Sequence, residues 1–226
     1  MNNTVAKLCV IVSLSAAATP RLPAQGSFVN LDFETPTFVP FPGQLNTVQW
    51  GPAMPGWTGY LGSSPINWIL HNDLFLSYAG ISIWEPDAPF PGLMHGDYYV
   101  KLQESFPVPA DSPAIEQTGT VPAWAKSMRF LSNQDWWGIL VSFEGRGLPM
   151  ALLEYQGSSQ GMRRFLWGAD ISAYAGQSGR LRFASYAGGV LDYIQFSPDP
   201  LPEPSSLSLL AAGALLFAGR ALRKRR

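Results

Sequence analysis

The stretch VLDYIQFS, Val190 to Ser197, sets one carboxylate, Asp192, among apolar neighbours. If it is a strand, the two-residue period puts Asp192 on the face shared by Val190, Ile194 and Phe196. An acid among core side chains must find a partner, because an unpaired buried charge is very costly. Three kinds of partner are open: main-chain N–H groups, an arginine such as Arg180 or Arg182, or a cation held jointly with Glu34 or Asp32. No compact metal-ligand motif decides among them.

A second group of residues suits sugar chemistry. Eight tryptophans occur, and aromatic faces pack well against the apolar faces of pyranose rings as well as into sandwich cores. Trp50, Tyr60 and Trp68 lie in a loop-rich stretch and are the expected sugar-stacking residues, with Trp57 expected inside. The pair Trp136-Trp137 points in opposite directions if extended, which leaves one ring for solvent.

Catalytic chemistry is thinly represented. His71 and His95 are the only histidines and neither sits in a metal-ligand spacing, while no nucleophile elbow or phosphate-binding glycine motif occurs. Glu116, Asp135, Glu144 and Glu154 are the carboxylates that could supply a glycosidase pair, as acids in almost any β-protein could. The single cysteine, Cys9, falls in a segment expected to be removed, which excludes thiol chemistry in the mature chain.

The elements that must position these residues read as strands. Segments at Asp97 to Leu102, Lys126 to Ser132, Ile139 to Gly145, Pro149 to Tyr155, Arg163 to Ser172, Gly179 to Ala187 and Val190 to Ser197 alternate in polarity and are separated by turn-rich pieces. Short strands without helical crossovers predict an antiparallel β-sandwich. Pro36 to Pro91 carries eight further prolines after Pro36, and is expected to form long loops over one end of the sandwich, where binding residues commonly sit. With 46% hydrophobic and 14% charged residues, the chain is neither disordered nor a basic nucleic-acid binder.

Both ends read as addresses. Residues 1–24 carry Lys7, an apolar run from Leu8 to Ala18 and small residues before a cleavage point after Ala24, which predicts a signal peptide and export past signal peptidase. At the other end Ser205 to Gly219 is apolar, about 22 Å long as a helix against a hydrocarbon core of about 30 Å. Arg220, Arg223, Lys224, Arg225 and Arg226 would anchor its end on the cytoplasmic side of the inner membrane. These two ends hold seven of the 15 bases, so their loss leaves eight against 16 acids, a body of about −8. Such a body does not attract nucleic acid but can attract divalent cations.

The order Pro202-Glu203-Pro204, apolar helix, basic tail resembles the PEP-CTERM sorting signal. The resemblance implies processing near the triplet by an exosortase, transient anchoring in the inner membrane, then display at the cell surface or in the extracellular matrix, often alongside exopolysaccharide and biofilm formation. NLDFETPTF (Asn30 to Phe38), PGWTGY (Pro55 to Tyr60) and the closing LDYIQFS are similar to the start and end of galactose-binding-like jelly-roll domains, which include carbohydrate-binding modules. Tyr193 departs from the acid or Asn common in that closing strand. This second resemblance implies that the two ends of the body meet, and that a structural calcium can lie by Asp32, Glu34 and Asp192, where hard oxygen ligands suit it.

The expectation is therefore a signal helix (1–24), one jelly-roll β-sandwich (25–200) and a single transmembrane sorting helix within 201–226. The expected function is non-catalytic, a surface or matrix protein that holds extracellular polysaccharide. The alternatives are a purely structural surface protein without a sugar ligand and a glycoside-acting enzyme.

Overall fold

The computed structural model describes residues 27–74, 78–85, 94–105, 112–136, 138–159 and 161–202. The expected signal peptide, Glu203, Pro204, the apolar tail with its five bases, and Trp137 lie outside these residues. Among the described residues no helix is long and apolar enough to cross a membrane.

The chain forms an all-β sandwich of two sheets. Its strands are β1 (Thr47–Gln49), β2 (Thr58–Leu61), β3 (Ser64–Ile66), β4 (Trp68–His71), β5 (Gly80–Trp84), β6 (Tyr99–Gln103) and β7 (Pro113–Thr120), then β8 (Ser127–Ser132), β9 (Ile139–Phe143), β10 (Arg146–Gly147), β11 (Met150–Ser159), β12 (Met162–Asp170), β13 (Ser178–Ser185) and β14 (Gly189–Ser197). One short helix, α1 (Trp50–Ala53), follows β1. The larger sheet runs β1-β4-β5-β6-β14-β8-β12-β11 and the smaller β10-β9-β13-β7-β2-β3. Among the described pairings β4 with β5 is parallel and the others are antiparallel.

Alternation builds the core between the sheets. Ile81, Ile83, Val100, Leu102, Met128 and Phe130 point inward from the larger sheet and meet Ile115, Val141, Phe143, Leu181 and Phe183 of the smaller. Phe130 and Phe183 meet edge to face across the gap, ring centres 5.6 Å apart. All seven segments read as strands from alternation are strands.

The long loops expected over Pro36 to Pro91 are corrected by β1 to β5. These strands are only three to five residues long, and Pro65 sits in β3, an edge strand where a missing N–H costs no ladder bond. Strand β5, GISIW, is buried on both faces, so it shows no polar alternation to read. Strand β7 holds Gln117, whose buried amide accepts from Val29 N–H at 2.6 Å and donates to Val29 O at 2.9 Å, doing for the opening segment what a neighbouring strand would do.

Candidate functional site

The ends of the body meet as expected: Ile194 N–H donates to Leu31 O at 2.9 Å. The face predicted for Asp192 is corrected, because β14 carries a bulge between Asp192 and Gln195, with Tyr193 in the left-handed region at φ 50°. The extra residue shifts the phase of the strand. Leu191, Ile194 and Phe196 therefore face the main core, while Val190 joins Trp84, Met94, Tyr99 and Leu131 in a second apolar cluster.

Asp192 is fully buried and its partners are main-chain N–H groups. Oδ2 accepts from His95 at 2.7 Å and Oδ1 from Tyr193 at 2.6 Å. Arg180 and Arg182 pair elsewhere, with Glu144 and Glu116. Burial pushes the Asp192 carboxyl up to about 8, with the charges of Glu34 and Asp32 adding to the rise and the two N–H bonds opposing it. The Glu34 carboxylate accepts from Asp97 N–H at 2.9 and 3.0 Å and from Tyr98 N–H at 3.0 Å. Between these anchors lies Gly96 at φ 60°, where a Cβ would run into the Glu34 carboxylate. Asp32 Oδ1 accepts weakly from Glu34 N–H at 3.4 Å. Among the described residues no group of three or more His, Cys, Asp or Glu side chains is arranged to hold a metal ion. A cation beside Asp32, Glu34 and Asp192 would have to take part of its shell from main-chain carbonyls and water.

The three expected sugar-stacking aromatics do not share a surface. Trp50, expected to be open, is 5% exposed: its indole N–H donates to Trp57 O at 2.7 Å and its ring lies on Gly59, which has room for no side chain. That correction follows from α1, which turns the ring under the smaller sheet. Tyr60, on the opposite face of β2, is half-buried beneath the Arg182 guanidinium, 4.9 Å from its ring centre. Trp68 is half-buried in β4 of the other sheet. Trp57 is inside, as read.

A cleft of about 550 Å³ opens where β6, β8 and β13 end and β14 begins, lined by Lys101, Glu104, Asn133, Gln134, Tyr186 and Gly189 among others. Glu104 carries two carboxylate oxygens shielded from solvent and, among the described residues, without a donor in hydrogen-bond geometry. Burial raises its pKa, and the hydroxyls of Ser112 and Ser185 lie near enough to oppose that rise without reaching hydrogen-bond geometry. Lys101 has its pKa lowered by burial and forms no ion pair among the described residues. Tyr186 stands at the rim, 69% exposed, held by its N–H to Gly138 O at 3.0 Å. Gly138 N–H in turn donates to the carbonyl of Trp136, which is 49% exposed. On the other flank Gln103 donates to the carbonyl of Tyr78, 71% exposed.

Sequence reading missed this cleft because its parts come from three separate turns and are common residue types. The one signal was Tyr186 in SYAGG, an aromatic in a glycine turn between two strands.

The four carboxylates named for glycoside chemistry are dispersed. Glu116 pairs with Arg182 at 3.5 Å, Asp135 with Arg163 at 3.3 Å and Glu144 with Arg180 at 3.6 Å, while Glu154 lies on β11 beside Gln156.

No protein-family model matches the chain, and no curated protein matches it. Among solved structures it is similar to a Stig cyclase, Fisc, from Fischerella sp. TAU, in complex with (3Z)-3-(1-methyl-2-pyrrolidinylidene)-3H-indole. Identity is 14% over 78% of this chain and 98% of that one, with a TM-score of 0.42. An apo cyclase from Fischerella sp. is similar at 13% identity, over 76% of this chain and 94% of that one, with a TM-score of 0.41. Likeness at this level assigns the chain to no family.

Proposed function

We propose that the chain is an exported, non-catalytic surface or matrix protein whose jelly-roll body holds extracellular polysaccharide in the cleft at Lys101, Glu104 and Tyr186. One observation carries the reading: the Glu104 carboxylate, shielded from solvent with no charged partner among the described residues, and the half-buried Lys101 amine, without an ion pair among them, line a cleft rimmed by an exposed tyrosine. Buried polar groups without partners are rare, and sugar hydroxyls, which donate and accept, satisfy both kinds. Tyr186 supplies an apolar face for a pyranose ring at the same mouth.

Export by signal peptidase and exosortase belongs to the same reading and rests on the two ends of the sequence. A structural calcium beside Asp32, Glu34 and Asp192 is its third part, supported by the charges of Glu34 and Asp32 acting on the fully buried Asp192 carboxyl. The test of the sugar reading is a glycan and polysaccharide binding panel with the exported mature protein. Saturable retention on at least one polysaccharide is expected, and its absence across the panel leaves a structural surface protein.

A further inference from the structure

The outer face of the larger sheet carries a second, smaller cavity, about 220 Å³, whose lining includes His95, Arg129, Gln156, Arg164, Tyr193 and Gln195. It sits over β8, β12 and β14, and alternation turns Arg129, Arg164 and Gln195 away from the main core. The rings of His95 and Tyr193 stack at 3.7 Å and form its wall.

Both arginines are incompletely used. The Nε of Arg129 and the Nε of Arg164 are shielded from solvent and have no hydrogen-bond acceptor among the described residues. The outer end of Arg129 meets Asp199 at 3.2 Å, leaving its inner edge unpaired. Arg164 reaches only carbonyls, Met94 O at 3.4 Å and Gln156 O at 3.2 Å, and has no carboxylate partner among the described residues. A guanidinium edge that is desolvated and unpaired is built for a planar oxyanion, which accepts from Nε and Nη together.

From this geometry we infer that the Arg129–Arg164 cavity is an acidic-sugar subsite that takes the carboxylate of a uronic acid unit. The inference rests on the polysaccharide reading for the polymer class and on the cavity alone for the charge. The volume lies below the range for drug-sized ligands, which suits one sugar unit, and the amides of Gln156 and Gln195 suit its hydroxyls. A body of about −8 does not attract a polyanion through bulk charge, so any uronate preference must come from a local site.

The test is isothermal titration of the exported mature protein with oligoglucuronate, a neutral oligoglucose of equal length, and oligoglutamate. The wild type is expected to bind oligoglucuronate at least tenfold more tightly than oligoglucose. Arg164→Gln should abolish that preference while leaving oligoglucose affinity unchanged, and Arg164→Lys, which keeps charge but loses the fork, should restore it only in part. Equal affinities for the two sugars in the wild type, or a preference that survives Arg164→Gln in a protein of unchanged melting temperature, overturns the subsite. Oligoglutamate binding as tight as oligoglucuronate overturns its assignment to a sugar. Uronate binding that needs Arg164 in a protein that ignores oligoglucose supports the subsite and refutes the neutral-sugar cleft, so the two failures are separable.

Discussion

Asp192→Asn is the substitution whose effect the structure fixes most closely. In the metal-free protein the folded carboxyl titrates near 8 and the unfolded one near 3.8. Between those values the folded chain holds a proton that the unfolded chain has lost, so stability from this group is full below about pH 4, falls as pH rises, and is flat above about pH 8. At about 1.4 kcal/mol per pH unit, the loss by pH 7 is about 4 kcal/mol. Asn cannot ionise and escapes that loss. Its amide keeps one acceptor but turns a donor toward the N–H of His95 or Tyr193, which costs about 1–3 kcal/mol at every pH. The variant should therefore be less stable than wild type below about pH 4 and should gain on it by about 3 kcal/mol between pH 5 and pH 7.5. Urea unfolding in the presence of a chelator measures both. Parallel pH profiles for the two proteins would refute the reasoning, because they would mean that the two N–H bonds keep Asp192 ionised in spite of its burial.

Calcium should reverse that loss: millimolar Ca²⁺ is expected to raise the wild-type melting temperature by several degrees, more at pH 8 than at pH 6 because a proton must leave, and not to raise that of Asp192→Asn. No response in a calcium titration followed by calorimetry would remove the metal from the account. Gly96→Ala should cost about 2 kcal/mol in urea unfolding, since a side chain at φ 60° is strained and its Cβ displaces the Glu34 carboxylate from three hydrogen bonds; an unchanged midpoint would contradict the anchoring role of that loop. Mass spectrometry of the mature protein should find its C-terminus near Pro202 to Pro204 and its N-terminus near Gln25, and intact ends would contradict exosortase and signal-peptidase processing.

What was legible in the sequence followed from its periodicities. Strands β9 and β13 alternate because one face meets the core and the other does not, and β6, β8, β11, β12 and β14 keep enough of that pattern in their residue types to be readable segment by segment. Strand β5 was hidden by burial on both faces, and β7 by the polar Gln117 and by Gly119, which lies under the Phe28 ring. The meeting of the two ends was legible from NLDFE and LDYIQF, yet the bulge at Tyr193 was not, since no Gly marks it, and so the face of Asp192 came out wrong. Trp50 looked exposed because prolines and glycines surround it, and a four-residue helix is too short to leave a periodic trace. Lys101, Glu104 and Tyr186 meet only through the order of strands in two sheets, which local patterns do not encode.

The cleft is tested most directly by the affinity of the exported protein for its best-retained polysaccharide, compared across Tyr186→Ala, Glu104→Gln and Tyr60→Ala. The account predicts at least a tenfold loss for each of the first two, with melting temperatures preserved, and little change for Tyr60→Ala, whose ring Arg182 already covers. Undiminished affinity in Tyr186→Ala and Glu104→Gln, or a loss confined to Tyr60→Ala, would contradict it.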